Sequence, residues 1–209
     1  MVQPSIVPRP ATSQLTGGAF ELGAATTVLA GTDCAGVARL LAQRLRASSR
    51  FDIPILEDDD AHHGGTISLA VDRSLDAGAY TVDVDPEGVR LVGGDPAGVF
   101  WASQVLLQLC PPAVFRTTPI PGTDWSVPCV EITDRPRFGW RGMLIDLSRH
   151  FFGRDSLLKL IDVLALHRMN VLHLHLTDDQ GWRMEIRKYP RLTEIGSWRS
   201  HSVIDNEYV

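Results

Sequence analysis

The sequence predicts an α+β domain followed by the opening of a parallel α/β sheet, and three observations carry that expectation. Residues 67–71 and 80–91 alternate inward apolar positions with a period of two, broken by a turn at 85–88, before a helical pattern takes over. Residues 110–138 are crowded with proline and turn residues, which marks a change of organisation. Beyond them two nearly continuous apolar runs flank a helical pattern, the β-α-β signature of strands buried on both faces.

Taken in order, "TDCAGVARLLAQRLRASSR" offers Asp33 as a helix N-cap, with Val37, Leu40, Leu41 and Leu45 at helical spacing. "TISLAV" turns Ile67, Leu69 and Val71 inward. "YTVDVDPEGVRLVGG" reads as a hairpin with one wet face: Tyr80, Val82 and Val84 point in, the chain turns at Asp85-Pro86-Glu87-Gly88, and Val89 and Leu91 resume the pattern. "GDPAGVFWASQVLLQL" then supplies Asp95 as N-cap, Pro96 at the first helical position, and Val99, Ala102, Leu106 and Leu109 on one stripe. With no β-α-β alternation visible in this half, the helices should lie on one face of a largely antiparallel sheet. The boundary falls near residue 133, which gives domains 1–133 and 134–209. After it come a strand in "GMLIDLSRHF", a helix in "RDSLLKLIDVLALHRMN" with Asp155 as N-cap and Leu158, Ile161 and Ala165 on one face, and a second strand in "VLHLHLTDD". The crossover between those strands should be right-handed.

At 44% hydrophobic and 22% charged residues, the 209-residue chain can bury a core of ordinary size. A formal net charge of −5 without any Lys/Arg run gives no footprint for nucleic acid or for an anionic membrane. The opening "MVQPSIVPRPATSQLTGG" lacks the basic and apolar regions of a secretory signal, and no later stretch approaches a membrane span. The chain as written is therefore expected in the cytoplasm, although a fuller gene product could be secreted. Cys34, Cys110 and Cys129 have no metal-ligand spacing and read as small buried hydrophobes.

In parallel α/β folds, ligands bind beyond the carboxyl ends of the strands, and both strands here end in polar groups. "DLSRHF" puts Asp146, Ser148, Arg149 and His150 near that rim, and "HLHLTDDQGWRMEIRKYP" follows the second strand. Arg149 offers a fork of donors suited to adjacent hydroxyls or a carboxylate, and Asp178 can orient such an arginine or accept from a ligand hydroxyl. The competing reading is an ion pair that only stabilises the strand ends. His173 and His175, two apart on one strand, share a face as metal-ligating pairs do; against a metal, no further ligand has sensible spacing. Asp178 and Asp179 are adjacent on an extended chain, point to opposite faces and should not share a proton; Asp179 suits a cap on the following loop. Trp140 and Trp182 are candidates for a stacking platform or for local packing.

"RPRFGWRGMLIDLSRHFF" and "LHRMNVLHLHLTDDQGWRMEIRKYPRLTEIGSWR" together resemble the family 20 glycoside hydrolases, the β-N-acetylhexosaminidases. The resemblance is close over residues 135–199, and the preceding domain, from "SIVPRP" to "GVRLVGGDPAGVFWASQVLLQL", resembles the family's N-terminal α+β domain. It implies a (β/α)8 TIM barrel whose first strand is Gly142–Arg149 and whose second is Val171–Asp178. It also implies a carbohydrate substrate with a terminal β-linked GlcNAc or GalNAc, and neither cofactor nor metal. By that resemblance Arg149 holds sugar hydroxyls, Asp178 helps organise the pocket, and His175 and Asp179 support it. The family retains configuration through its substrate: the 2-acetamido oxygen attacks the anomeric carbon while a glutamic acid protonates the leaving oxygen and a neighbouring aspartate steers the acetamido group. That adjacent Asp-Glu pair lies at the end of the family's fourth strand, and no such dipeptide occurs in this sequence. A barrel needs about 250 residues, whereas those after residue 133 suffice for two strands and a helix. The acidic run at 57–60 sits in the first domain and cannot substitute. The catalytic pair is thus expected beyond Val209, and the chain is expected to be an inactive N-terminal piece of the enzyme. The runner-up readings are a metal-dependent barrel hydrolase using His173 and His175, and a non-catalytic carbohydrate-binding fragment.

Overall fold

The computed structural model describes residues 4–57 and 64–201, together with 203–204 and 207–208. Most of the acidic run expected to matter little, residues 58–60, lies outside the described residues. The chain divides into two compact units, one of residues 1–139 with Leu166–Arg168, the other of Trp140–Ala165 with 169–209.

The first unit is built on β1 (Thr12–Glu21), β2 (Thr27–Ala30), α1 (Ala35–Ser49), β3 (Ile55–Leu56), β4 (Thr66–Val71), β5 (Tyr80–Val84), β6 (Gly88–Gly93), α2 (Pro96–Leu109) and β7 (Ser126–Asp134). The seven strands form one sheet in the order β1-β7-β5-β6-β4-β2-β3. The hairpin follows the sequence pattern: Tyr80, Val82, Val84, Val89 and Leu91 are buried. Its turn is fixed by Asp85, whose Oδ1 accepts the backbone N–H of Glu87 at 2.8 Å and of Gly88 at 2.9 Å. The sheet, however, is mixed rather than largely antiparallel. β1/β7, β7/β5 and β5/β6 are antiparallel, while β6/β4, β4/β2 and β2/β3 are parallel. The reason is the short β2, which makes β2-α1-β4 a crossover that returns the chain parallel to its start.

α1 and α2 pack on one another and into a single hydrophobic core with the sheet. α2 starts as expected, with Asp95 Oδ1 accepting the Gly98 N–H at 2.7 Å and Pro96 in the first turn. Asp33 does not cap α1: it lies inside a 3-10 helix over Thr32–Cys34, and the α-helical start passes to Cys34 without a side-chain cap. Leu40 also departs from expectation, at 58% exposure, because the buried stripe runs through Val37, Ala38, Leu41, Ala42 and Leu45 and leaves Leu40 on its shoulder. The proline-rich stretch likewise holds a regular element, β7, despite Pro128. Pro128 faces Ala19 beside a register shift between Leu15 and Ala19, and Gly17 and Gly18 take φ of +88° and +89° within that bulge. A residue lacking an N–H is tolerated where the ladder is already interrupted. Cys34, Cys110 and Cys129 are free and buried, and burial pushes the Cys110 thiol up to about 12, so it stays protonated.

The second unit contains β8 (Gly142–Asp146), α3 (Arg154–Leu166, its last residue counted with the first unit), β9 (Val171–His175), the small hairpin β10 (Thr177–Asp178) and β11 (Gly181–Trp182), α4 (Arg191–Glu194), and β12 (Val203–Ile204) paired with β13 (Glu207–Tyr208). β8 and β9 are parallel, in register from Gly142 opposite Val171 to Asp146 opposite His175. Both strands are shorter than the sequence suggests. β8 stops at Asp146, not Arg149, because the Asp146 carboxylate bends the backbone by accepting from the N–H groups of Ser148 and Arg149. β9 stops at His175, not Asp178, because Thr177 and Asp178 leave the parallel pair to form their own antiparallel hairpin with Gly181 and Trp182. Asp155 lies within the first turn of α3 with its side chain almost fully exposed, so it is not the cap. The expected inner face of α3 is also turned out: Leu158 and Ile161 are exposed, and Leu164 is its buried residue.

Candidate functional site

Because β8 and β9 end level, their carboxyl termini bring Asp146 and His175 side by side, and the turn after β8 folds Arg149 back over them. Arg149 Nη1 donates to Asp146 Oδ2 at 2.9 Å, and Nη2 pairs with Asp178 Oδ2 at 2.8 Å. The same Asp178 oxygen lies 2.9 Å from His175 Nε2, which is itself 3.1 Å from Arg149 Nη1. One ring nitrogen cannot serve both neighbours. An unprotonated Nε2 would turn its lone pair toward an ionised carboxylate, so Nε2 carries the proton and donates to Asp178, and Arg149 Nη1 is satisfied by Asp146. The Arg149 side chain stays about half exposed, at 49%, and so can still meet a ligand.

Electrostatics and hydrogen bonding act together here. The Arg149 N–H, ahead of the Arg149 side chain, holds the Asp146 carboxyl below the usual carboxylate range. The Asp179 N–H, at 2.8 Å from Oδ1, does the same for Asp178, with the His175 imidazole next in effect. In return Asp146, then Asp178, raise the Arg149 guanidinium further. The rim thus presents a fixed cation flanked by ionised acceptors, a combination that matches the alternating donors and acceptors of adjacent hydroxyls.

Of the sequence candidates, Arg149, Asp178 and His175 come together. Asp179 is exposed at the tip of the β10/β11 hairpin, where its backbone rather than a capping side chain makes the contact with Asp178. His173 is exposed, and among the described residues no group of three or more His, Cys, Asp or Glu could hold a metal ion. Ser148 faces inward, fully buried, its Oγ donating to the Gly181 carbonyl at 2.8 Å. His150 packs against Phe152 with ring centroids 4.9 Å apart and the rings tilted by 55°. Trp140 and Trp182 do not form a platform: the Trp140 ring lies over Gly142 at the start of β8, whereas Trp182 follows the far end of β9 and donates its indole N–H to the Met184 carbonyl. Asp146 is the residue whose importance spacing alone understates. Its signal is an aspartate two and three residues before the N–H groups it accepts from, the geometry of a local side-chain turn.

The model of the catalytic domain of glycosyl hydrolase family 20 matches residues 138–209, and the model of that family's domain 2 matches residues 3–135. The chain belongs to glycosyl hydrolase family 20. It is 38% identical over 199 residues to a beta-hexosaminidase of Porphyromonas gingivalis, covering 94% of this chain and 25% of that protein. It is 35% identical over 206 residues to a beta-hexosaminidase of Vibrio furnissii, covering 98% and 31%. Among solved structures, a mutant Streptomyces plicatus beta-hexosaminidase in complex with its product GlcNAc superposes with a TM-score of 0.84 at 35% identity, covering 96% of this chain and 39% of that one. The family 20 beta-N-acetylhexosaminidase of Streptomyces coelicolor A3(2) superposes with a TM-score of 0.82 at 34% identity, covering 96% and 40%. The chain therefore spans between a quarter and two-fifths of the length of these relatives.

Proposed function

We propose that this chain supplies the hydroxyl-binding edge of a β-N-acetylhexosaminidase site, with Arg149 as the group that grips a terminal β-linked GlcNAc or GalNAc. The observation that carries the reading is the half-exposed Arg149 side chain, fixed by Asp146 at the carboxyl end of β8 and by Asp178 in the hairpin that follows β9. Asp178 organises the guanidinium, His175 holds Asp178, and Asp179 contributes through its N–H. On this reading β8, α3 and β9 are the first units of a (β/α)8 barrel, preceded by the α+β domain. The full reaction would be substrate-assisted retention, with the acetamido oxygen as nucleophile and a glutamic acid protonating the glycosidic oxygen. The sequence holds no adjacent Asp-Glu pair, and Arg149 and Asp178 reach one edge of a ring at most, so the chain by itself should leave the glycosidic bond intact.

The test replaces the matching part of the Porphyromonas gingivalis beta-hexosaminidase with this chain. The chimera, shown to be folded by circular dichroism, should hydrolyse a chromogenic N-acetylglucosaminide. Arg149→Lys keeps the charge but loses the planar fork, and should lower kcat/KM by about 2–4 kcal/mol of transition-state binding. Unchanged kinetics in that variant would remove Arg149 from the site. The 209-residue chain alone should show no turnover; turnover that Arg149→Ala abolishes would make it a complete enzyme.

A further inference from the structure

The turn that carries Arg149 has every backbone polar group from Leu147 to Arg149 accounted for, and a second arginine supplies much of the balance. The Leu147 N–H donates to the His175 carbonyl at 3.0 Å. The N–H groups of Ser148 and Arg149 both go to Asp146 Oδ1, each at 3.0 Å. On the carbonyl side, Arg183 Nε donates to Leu147 O at 3.0 Å and Nη2 to Ser148 O at 3.3 Å, while Arg199 Nη2 donates to Arg149 O. Arg183 Nη1 reaches across to the Ser197 carbonyl, and its guanidinium stands 5.4 Å over the Phe151 ring.

The surroundings are shaped to this side chain. A Cβ on Gly181 would lie 2.7 Å from Arg183 Cζ, so any side chain at that position would push the guanidinium aside. The Gly181 carbonyl meanwhile takes the buried Ser148 hydroxyl at 2.8 Å, which ties the same two segments together a second time. When β8 ends at Asp146 its next carbonyls lose their sheet partners, and a rigid planar fork is well suited to bridge two successive carbonyls and a third from another segment.

We infer that Arg183 is a positioning residue for Arg149, acting through the carbonyls of Leu147 and Ser148 without touching a ligand. Asp146 holds the turn by its N–H groups and Arg183 holds it by its C=O groups; between them they set where the Arg149 side chain leaves the backbone. The functional weight of the inference rests on the reading of Arg149 as the sugar-gripping residue, because hydroxyl recognition by a guanidinium tolerates little displacement.

The test reads Arg149 itself and needs no sugar, so it stands or falls separately from that reading. In the 209-residue chain, the Nε–Hε resonance of Arg149, assigned by its loss in Arg149→Lys, and the imidazole resonances of His175 are followed by NMR. Arg183→Met keeps the stem and removes the fork, and should shift both sets of signals while amides of the first unit stay in place. Arg183→Lys, which keeps the charge and donors at one compact point but loses the spread of the fork, should give a smaller shift in the same direction. Gly181→Ala provides the check should Arg183→Met fail to fold: it keeps the charge, displaces the guanidinium, and should reproduce the Arg183→Met pattern. Arg149 and His175 signals that superpose on those of the parent chain in folded Arg183→Met, or in Gly181→Ala if the former does not fold, would overturn the inference.

Discussion

Asp146 and Asp178 neutralise one cation from two strands, and each is also held ionised by a backbone N–H, so the cluster responds to acid in a defined direction. Both carboxyls have folded-state pKa values below their ordinary ones. The stability they contribute is therefore present above the unfolded value of about 3.9 and lost as pH falls through the lower folded values. Carboxyl carbon NMR titration should give midpoints under about 3.9 for both residues, with the His175 imidazole signals moving as Asp178 protonates. A midpoint at or above that value for either would show that the contacts are not maintained in solution. At this scale the sequence makes Arg149 and Asp178 legible, since each follows an apolar strand and their charges are complementary. It does not make legible the burial of Ser148 or the separation of Trp140 from Trp182. Those depend on how the chain turns after each strand, which is decided by Asp146 in one case and by the β10/β11 hairpin in the other.

Two aspartates written before two helical patterns behave differently, and the difference separates what local sequence fixes from what tertiary context decides. Asp95 caps α2 and also accepts the Gly78 N–H at 3.1 Å through its other oxygen. Asp33 instead forms an exposed ion pair with Arg73 at 3.1 Å. Asp95→Ala should destabilise the chain by about 1–2 kcal/mol in urea denaturation, since two N–H groups lose their acceptor. Asp33→Ala should stay within about 0.5 kcal/mol, as an exposed pair is worth little. Equal losses would mean that Asp33 has a capping role the geometry does not give it. The proline at N1 and the glycine at N3 make the α2 start readable, whereas the 3-10 helix ahead of α1 leaves no periodic trace. β2, only four residues long, is too short for alternation to announce, and missing it conceals the parallel half of the sheet.

At the scale of the whole molecule the two units differ in how they bury apolar surface. The first encloses one core that draws on β1, β2, β4 to β7 and both long helices. The second pairs two strands on which Met143, Leu144 and Leu174 are exposed, joined by a helix whose Leu158, Ile161 and Val163 are exposed as well. The sequence pattern reads the two strands as buried on both faces and Leu158 and Ile161 as the inner face of the helix; in the proposed barrel, neighbouring β/α units would provide that cover. A two-stranded sheet is marginal without it, whereas a seven-stranded sheet with packed helices is not. Limited trypsin digestion should therefore cut early at exposed sites such as Arg154 and Lys159 and leave a resistant fragment that ends within the arginines at 135–141. That fragment, expressed alone, should unfold cooperatively in urea. Recovery of a protected fragment beginning near Trp140, with the first unit degraded, would reverse the assignment of stability between the two and remove the reason for expecting further β/α units on the exposed faces.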